Sequence, residues 1–509
     1  MNLQKRITFR HLIIALFLVL HVFLLNINVA EWGDSYRILR ASEFIREGSY
    51  PPDEKRPPLY SLILSARPQN VDQVLFGRIV MLVISIASLY VFIKIINKLE
   101  LTEAEQDIAL LAFTLNPVYL YWSIRLMADV PFTLLVLSAF YFLLGAKGLF
   151  KSSTLLILGL VCGLAVLTRF EGYILTAAVA FGIILAKEYK NLILFSLSFL
   201  ATLVPYLIYR NPFTSSYFEE PSGRSYDLKM LAIYLVSVVF VFGFANAFVF
   251  IYKSKKKIID LAIKYPYISA FVIVELALAL LWPAAIPRLL TPVIPFFAII
   301  LGISINDYIL DKSQKDSKIV TFVSIVALLI FIIAQYFLKL QFLVSQKELF
   351  LFVVLLQIPI IALIFTKKTK YLLMFISISM FVWSIFVIRT HKDIFISVKN
   401  AGDYAQKNLQ GLIIYNDISS VSDWYINQKV KDDNVWGYYY NTESKKTMTF
   451  EALQEINPDY LIITNEHNTT MELDIEKRPY LSEIKEFRYN VNGKEFFAKV
   501  VKFNKEFDK

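Results

Sequence analysis

The sequence predicts an all-α polytopic membrane protein that ends in a small α/β domain. Of its 509 residues, 57% are hydrophobic and 15% are aromatic, while only 18% are charged. The mean hydropathy is +0.54, which is too apolar for a soluble protein of this length. A long polar stretch follows the last apolar run. The fold class therefore combines a helical membrane body with a separate polar domain.

Apolar runs of membrane-spanning length set the expected number of helices. A helix needs about 20 apolar residues to cross a hydrocarbon core of about 30 Å, and about thirteen runs approach or exceed that length. They lie at residues 9–29, 73–96, 106–122, 128–147, 153–168, 170–187, 190–209, 228–252, 265–283, 289–309, 319–338, 348–366 and 371–389. The first run could instead be a signal peptide cleaved after Ala30, but its length favours a retained helix.

The polar C-terminus shows the pattern of a folded domain. We predict a transmembrane domain at 1–390, with an outside loop at 30–72, and an α/β domain at 391–509. Within the latter, the periodicity predicts helices at 398–409 and 450–456, strands at 412–415 and 460–463, and a terminal hairpin formed by 483–489 and 495–503. The single cysteine, Cys162, excludes an intrachain disulfide.

Lysine and arginine separate by side of the membrane. With Met1 taken as cytoplasmic, the inside loops after the N-terminus carry only lysines as basic residues, as the positive-inside rule expects. The arginines gather on the outside face, and they are Arg37, Arg40, Arg46, Arg56, Arg67, Arg125, Arg169, Arg210, Arg224 and Arg288. Guanidinium groups suit phosphate and carboxylate ligands. The net charge of +10 does not indicate nucleic acid, because the chain has no soluble basic domain.

The loop at 30–72 holds the first candidate site residues. Asp34 follows the first span, where its carboxylate could act as a general base or as the N-cap of a helix. The spacing predicts that helix at Ser35–Glu47, amphipathic and lying on the bilayer surface, with Arg37 and Arg40 on its polar side. The following segment, 50–60, contains four prolines that stiffen the backbone around Arg56.

Further ionisable residues lie at the ends of predicted spans. Charges close to hydrocarbon are costly and mark functional paths, although a snorkelling arginine or a local ion pair is the alternative. Glu275 lies in the middle of a span, and its partner is not evident. The residues at span ends are Arg125, Asp129, Arg169, Glu171 and Arg288.

Five motifs in order resemble the GT-C superfamily of membrane glycosyltransferases, in particular its protein O-mannosyltransferase and lipid A aminoarabinose transferase branches. The resemblance covers nearly the whole chain. The motifs are Gly33-Asp34-Ser35-Tyr36-Arg37, Lys55-Arg56-Pro57-Pro58-Leu59-Tyr60, Asn116-Pro117 ahead of Arg125–Phe132, Leu167–Gly172 and Pro287–Phe296.

This resemblance implies transfer of a mannose-like hexose or a pentose from a polyprenyl-phosphate carrier. It implies Asp34 as the catalytic base and assigns the donor phosphate to Arg37, Arg56 and Arg288. These branches usually have glutamate where this chain has Ser35. Further site candidates are Lys55, Tyr60, Arg125, Asp129, Arg169 and Glu171. No cofactor is indicated, and a divalent metal ion is left open.

The expected chemistry is a single inverting displacement on the extracytoplasmic face of the plasma membrane. A polyprenyl phosphate leaves already ionised, so one base and several cations suffice, unlike the two carboxylates of glycosidases. The expected partners are the lipid-linked sugar, an acceptor protein, lipid or glycan, and membrane lipids. The alternatives are a transporter or flippase of a lipid-linked anion, which would need a polar path across the bilayer, and a membrane scaffold.

Overall fold

The structure is a computed structural model. It describes residues 3–51, 54–146, 150–210, 247–282, 287–310, 347–366, 368–416, 421–427, 450–465, 478–491 and 493–506, with short pieces between 318 and 333 and at 438–439. The predicted spans at 228–252 and 319–338 lie largely outside these residues. Residues 52 and 53 of the proline-containing segment also lie outside them.

The chain forms two compact units. The first contains Met1–Leu25, Lys55–Ile63 and Phe76–Val387. The second contains Asn26–Glu54, Leu64–Leu75 and Ile388–Lys509. Much of the outside loop therefore folds with the C-terminal region, while the segment of Lys55 and Arg56 folds with the helical body.

Helices make up most of the described residues. In chain order they are α1 (Leu3–Leu24), α2 (Gly33–Arg46), α3 (Leu59–Ser65), α4 (Gln73–Ile96), α5 (Glu103–Thr114), α6 (Pro117–Ser123), α7 (Asp129–Gly145), α8 (Ser152–Val166), α9 (Gly172–Leu185), α10 (Tyr189–Tyr209), α11 (Ala247–Lys253), α12 (Lys255–Lys264), α13 (Pro266–Leu281), a 3-10 helix (Pro287–Val293), α14 (Ile294–Leu310), α15 (Lys347–Thr366), α16 (Thr369–His391), α17 (Ile396–Asn408), α18 (Val421–Ile426) and α19 (Phe450–Ile456).

Several of these helices are long and apolar enough to cross a membrane, which identifies an integral membrane protein. Among the described residues, four helical stretches meet both criteria, namely Gln73–Ile96, Tyr189–Tyr209, Pro287–Leu310 and Tyr371–Asn408. Helices α12 and α13 meet them together but are bent by 108°. Shorter apolar helices include α7, α8 and α9. The count of about thirteen spans stays a prediction.

Glycines allow helices of the first unit to approach closely. A Cβ atom at Gly159 of α8 would lie 2.4 Å from the backbone oxygen of Phe195 in α10, and one at Gly163 would lie 2.6 Å from Thr202 Cβ. These two glycines are four residues apart and form one face of α8. Small residues at this spacing drive packing in membranes, where burial from water contributes nothing between helices. The α8–α10 pair supports the turn that begins at Thr168.

The second unit contains a five-stranded mixed sheet of order β2-β1-β3-β5-β4. Strand β1 pairs in parallel with β2 and β3, whereas β5 pairs antiparallel with β3 and β4. The strands are β1 (Ile413–Tyr415), β2 (Tyr438–Tyr439), β3 (Tyr460–Thr464), β4 (Leu481–Val491) and β5 (Lys494–Phe503).

Apolar cores cover both faces of this sheet. Ile414 of β1 packs with Phe450 and Leu453 of α19 on one face. Its neighbour Ile413 packs with Ala401 of α17 on the other. Successive strand residues point to opposite faces, so a strand buried on both faces reads as a continuous apolar run. The predicted α/β domain is confirmed, and each predicted helix, strand and hairpin within it corresponds to an observed element.

Helix α2 differs from the predicted surface helix. Most of its residues are buried, including Arg40, which was expected on a solvated face and is only 8% exposed. The Arg40 Nε donates to Asp423 Oδ2 at 3.1 Å, and its Nη2 donates to the Asp423 carbonyl at 2.5 Å. Burial lowers the pKa of Arg40, and Asp423 opposes that shift. Arg37, by contrast, is exposed as predicted.

We expect Arg40→Ala to destabilise the second unit by about 3–5 kcal/mol, because the substitution leaves Asp423 as a buried charge without its cation. The exposed Arg37→Ala variant is the matched control and should change stability by less than about 0.5 kcal/mol. Hydrogen–deuterium exchange of purified protein should show faster exchange in α18 for Arg40→Ala only. Equal exchange in both variants would contradict the assigned role of the buried pair.

Candidate active site

Arg125 follows the short helix α6, which is capped at its N-terminus. The Asn116 side chain accepts hydrogen bonds from the backbone N–H of Val118 at 3.1 Å and of Tyr119 at 2.9 Å. Pro117 occupies the first helical position, where its missing N–H costs nothing. Beyond α6 the chain turns, and the guanidinium of Arg125 lies 5.3 Å from the Tyr121 ring centroid. Arg125 is fully buried.

A tight turn between α8 and α9 places Arg169 and Glu171. The Gly172 N–H donates to the Arg169 carbonyl at 2.9 Å. A Cβ atom at Gly172 would lie 2.3 Å from the Val166 backbone nitrogen, so the turn can close only with glycine there. The glycine of the Thr168–Gly172 motif is therefore a steric requirement of the turn.

Arg169 joins carboxylates from two helices. Its Nη1 donates to Asp129 Oδ1 at 2.5 Å, and its Nε donates to Glu171 Oε1 at 3.2 Å. A second nitrogen of Arg169 also contacts Glu171. The Asp129 side chain is 2% exposed and that of Arg169 13% exposed. The local ion pair considered as an alternative is thus present, and it extends to the first residue of α7.

Arg288 is the second residue of the 3-10 helix, which packs against α6, α7 and α13. Its Nη1 lies 3.5 Å from the Met127 sulfur, and its guanidinium lies 5.8 Å from the Trp122 ring centroid. The positive charge of Arg288 acts on Glu171. Arg288 therefore belongs to the same charged cluster as Arg169.

A cavity of about 270 Å³ opens beside this cluster. Two of its lining side chains are carboxylates, Glu171 and Glu275. Its remaining lining is apolar or aromatic, from Phe170, Tyr173, Ile174, Leu278, Ala279, Trp282 and Leu289. Glu275, for which the sequence showed no partner, thus lies in the wall of this cavity.

The Lys55–Tyr60 segment is anchored to the Arg169 turn. The Leu59 N–H donates to the Leu167 carbonyl at 2.8 Å, two residues before Arg169. Lys55 and Arg56 are half-buried just before α3, and Tyr60 is buried within it. The fold therefore brings this segment and the Arg169 turn together in the first unit.

Asp34 lies in the second unit, in the first turn of α2. The N-cap of α2 is Trp32, whose side chain makes no capping hydrogen bond. The N-cap alternative for Asp34 is therefore wrong, because the helix starts one residue earlier than Asp34. A carboxylate in the first turn is still stabilised by the helix dipole. The candidate base and Arg37 thus belong to one unit, and Arg56 and Arg288 belong to the other.

Tyr36 has a structural role that sequence reasoning missed. Its hydroxyl accepts from the Glu31 N–H at 2.9 Å and lies 2.8 Å from the Tyr425 hydroxyl. Its ring stacks on Trp424 at 5.0 Å. Burial, then the nearby Tyr425 and Glu31, raises the pKa of Tyr36, so it keeps its proton. The only sequence signal was its place in the Gly33–Arg37 motif.

The described part of the chain has no cluster of side chains arranged to bind a metal ion. No group of three or more histidine, cysteine, aspartate or glutamate side chains there is arranged to hold an ion.

Comparison with known proteins finds a family model for part of the chain and solved structures with a similar fold. A family model described as dolichyl-phosphate-mannose-protein mannosyltransferase matches residues 55–214. The fold is similar to ArnT from Cupriavidus metallidurans in the apo state, with a TM-score of 0.62 and 14% identity, covering 96% of this chain and 97% of that one. The same protein bound to undecaprenyl phosphate gives a TM-score of 0.61 at 12% identity, with the same coverage.

An archaeal relative shares the architecture. The oligosaccharyltransferase AglB from Archaeoglobus fulgidus, in complex with an inhibitory peptide and a dolichol-phosphate, gives a TM-score of 0.52 at 10% identity. The match covers 96% of this chain and 74% of that one. The comparisons thus show a fold similar to that of these proteins over nearly the whole chain. No curated protein sequence matches it.

Proposed function

We propose that this protein is a GT-C glycosyltransferase, which transfers a sugar from a polyprenyl-phosphate carrier to an acceptor hydroxyl. The observation that carries the proposal is the buried cluster of Arg169, Arg288 and carboxylates beside a largely apolar cavity. Such a site suits a substrate with an anionic phosphate, a polar sugar and a hydrocarbon chain.

The structures similar to this one support the carrier. ArnT was solved with undecaprenyl phosphate and AglB with a dolichol-phosphate. Both are long isoprenoid phosphates, and we infer the same class of donor here. The sugar is a mannose-like hexose or a pentose, and the acceptor is a protein, a lipid or a glycan. The transporter alternative is not favoured by these relatives.

Arg56 and Arg288 are proposed to bind the donor phosphate, with Arg37 as a further contact. Negative charge grows on the phosphate as the glycosidic bond breaks, so fixed guanidinium groups stabilise the transition state more than the ground state. Arg288 contacts the Met127 sulfur and the Trp122 ring. Arg169, by contrast, is already neutralised by Asp129 and Glu171.

Asp34 is proposed as the general base. In this step the acceptor oxygen attacks the anomeric carbon, Asp34 takes the hydroxyl proton, and the bond from that carbon to the phosphate oxygen breaks. The polyprenyl phosphate leaves with the bonding electrons, so no general acid is needed. One displacement inverts the anomeric centre. The proposal keeps residues 1–390 as the transferase domain and 391–509 as the extracytoplasmic domain.

The extracytoplasmic position of the site rests on the separation of lysines and arginines along the chain. Single cysteines at exposed Ser482 and Lys256, each on a Cys162→Ser background, test it. An impermeant thiol reagent added to intact cells should label Ser482→Cys only. Labelling of Lys256→Cys would reverse the proposed topology.

The variants Asp34→Asn and Asp34→Ala test the base. Because Asp34 does not cap α2, both variants should keep the fold and donor binding, and both should lose roughly 10²–10⁴-fold in transfer rate. Donor turnover is measured by mass spectrometry of the lipid, and thermal unfolding in detergent serves as the control. A folded Asp34→Asn protein that transfers sugar at the parent rate would remove Asp34 from the mechanism.

The variants Arg56→Ala and Arg288→Ala test the phosphate contacts. Each removes a charge-assisted contact, so donor binding should weaken by about 1.5–3 kcal/mol. Lysine at either position should restore only part of the affinity, because it lacks the planar fork. Binding of undecaprenyl phosphate to the purified variants provides the measurement. Parent-like affinity in both alanine variants would refute the phosphate assignment.

A further inference from the structure

Glu275 is a buried carboxylate for which the proposed reaction has no use. It lies near the middle of α13 and is 3% exposed. Among the described residues, its Oε2 atom has no hydrogen-bond partner. A buried carboxylate oxygen without a hydrogen bond is costly, and an ionisable residue within a membrane helix marks a functional site by default. A ligand that donates hydrogen bonds would remove this cost.

The surroundings of Glu275 restrict the chemistry of that ligand. Its nearest charged neighbours are Glu171, Arg169 and Asp129. Arg169 is bonded to both of the other carboxylates, so neither of its partners leaves a cation for Glu275. An ionised phosphate offers only acceptor oxygens, so it cannot donate the hydrogen bond that Glu275 lacks. A polyprenyl chain alone would leave Glu275 without a donor.

The remaining lining favours a ligand that also has apolar faces. Phe170, Tyr173 and Trp282 supply aromatic surface, and Ala279, one turn beyond Glu275 on α13, leaves room beside the carboxylate. A sugar ring combines outward hydroxyl donors with apolar C–H faces. Ligand sites commonly pair an apolar lining with a few polar groups that set orientation.

We propose that Glu275, with Glu171, accepts hydrogen bonds from the hydroxyl groups of the donor's sugar and so selects which lipid-linked sugar the protein uses. This inference rests on the proposed function, because it takes the lipid-linked sugar as the substrate. Two roles are then divided within one cluster. Arg288 binds the phosphate, and Glu275 and Glu171 recognise the sugar. Glu275 is a specificity residue in this scheme and takes no proton in the displacement.

Binding of two kinds of lipid to the purified protein tests the proposal. One probe is undecaprenyl phosphate, and the others are undecaprenyl phosphate carrying mannose, glucose or arabinose. The parent should bind at least one sugar-bearing lipid more tightly than the sugar-free lipid. Glu275→Gln should reduce that preference by roughly 2- to 10-fold, the range for a typical hydrogen bond. Its affinity for undecaprenyl phosphate should stay unchanged.

A second pair of variants leaves Glu275 in place. Ala279→Leu fills the space beside the carboxylate and should also reduce the preference for the sugar-bearing lipid. Ala277→Leu is the matched control, because Ala277 is exposed on the same helix and does not line the cavity. Thermal unfolding of each variant in detergent confirms that it is folded.

The outcomes separate this inference from the proposed function. A parent that binds neither kind of lipid would refute the proposed function itself. A parent that binds both kinds equally would refute the role of the cavity in reading the sugar. Equal losses for sugar-bearing and sugar-free lipids in Glu275→Gln, or no loss for either, would overturn the role of Glu275.

Discussion

The arrangement of the helical body depends on one interaction, the bridge that Arg169 makes between Asp129 and Glu171. Burying a charge at the end of a membrane helix costs free energy. Opposite charges and hydrogen bonds must compensate that cost. Because the partners begin α7 and precede α9, the bridge ties two helix ends together. The Gly172 turn, the cavity and the Arg288 helix are all arranged around it.

The second unit also contains a buried charge that an opposite charge compensates. Arg40 and Asp423 lie far apart in the chain, yet they form a buried pair that joins α2 to α18. Tyr36 adds hydrogen bonds and a stacked ring to the same contact. The loop motif that contains Asp34 is therefore held by residues of the C-terminal domain. A small change in that domain would move the candidate base.

Charge in the first unit is divided in a way that suits a phosphosugar. Arg288 contacts Met127 and Trp122, whereas Arg169 is paired with Asp129 and Glu171. Glu171 and Glu275 line the apolar cavity, where hydroxyl groups would be the natural donors. Under the proposed function, the phosphate and the sugar of the donor would contact chemically different parts of this cluster.

Sequence alone determined what depends on local pattern. Helix and strand periods predicted the C-terminal elements closely, and hydropathy predicted a membrane body, because both signals come from residues near in the chain. Motif order predicted the superfamily and the residues of the charged cluster. The tertiary structure decided the rest: Arg40 became buried, Asp34 was not a cap, and Glu275 entered a cavity wall. Each of these outcomes depends on contacts between residues that are far apart in the sequence. A local pattern does not show which distant residues the fold brings together.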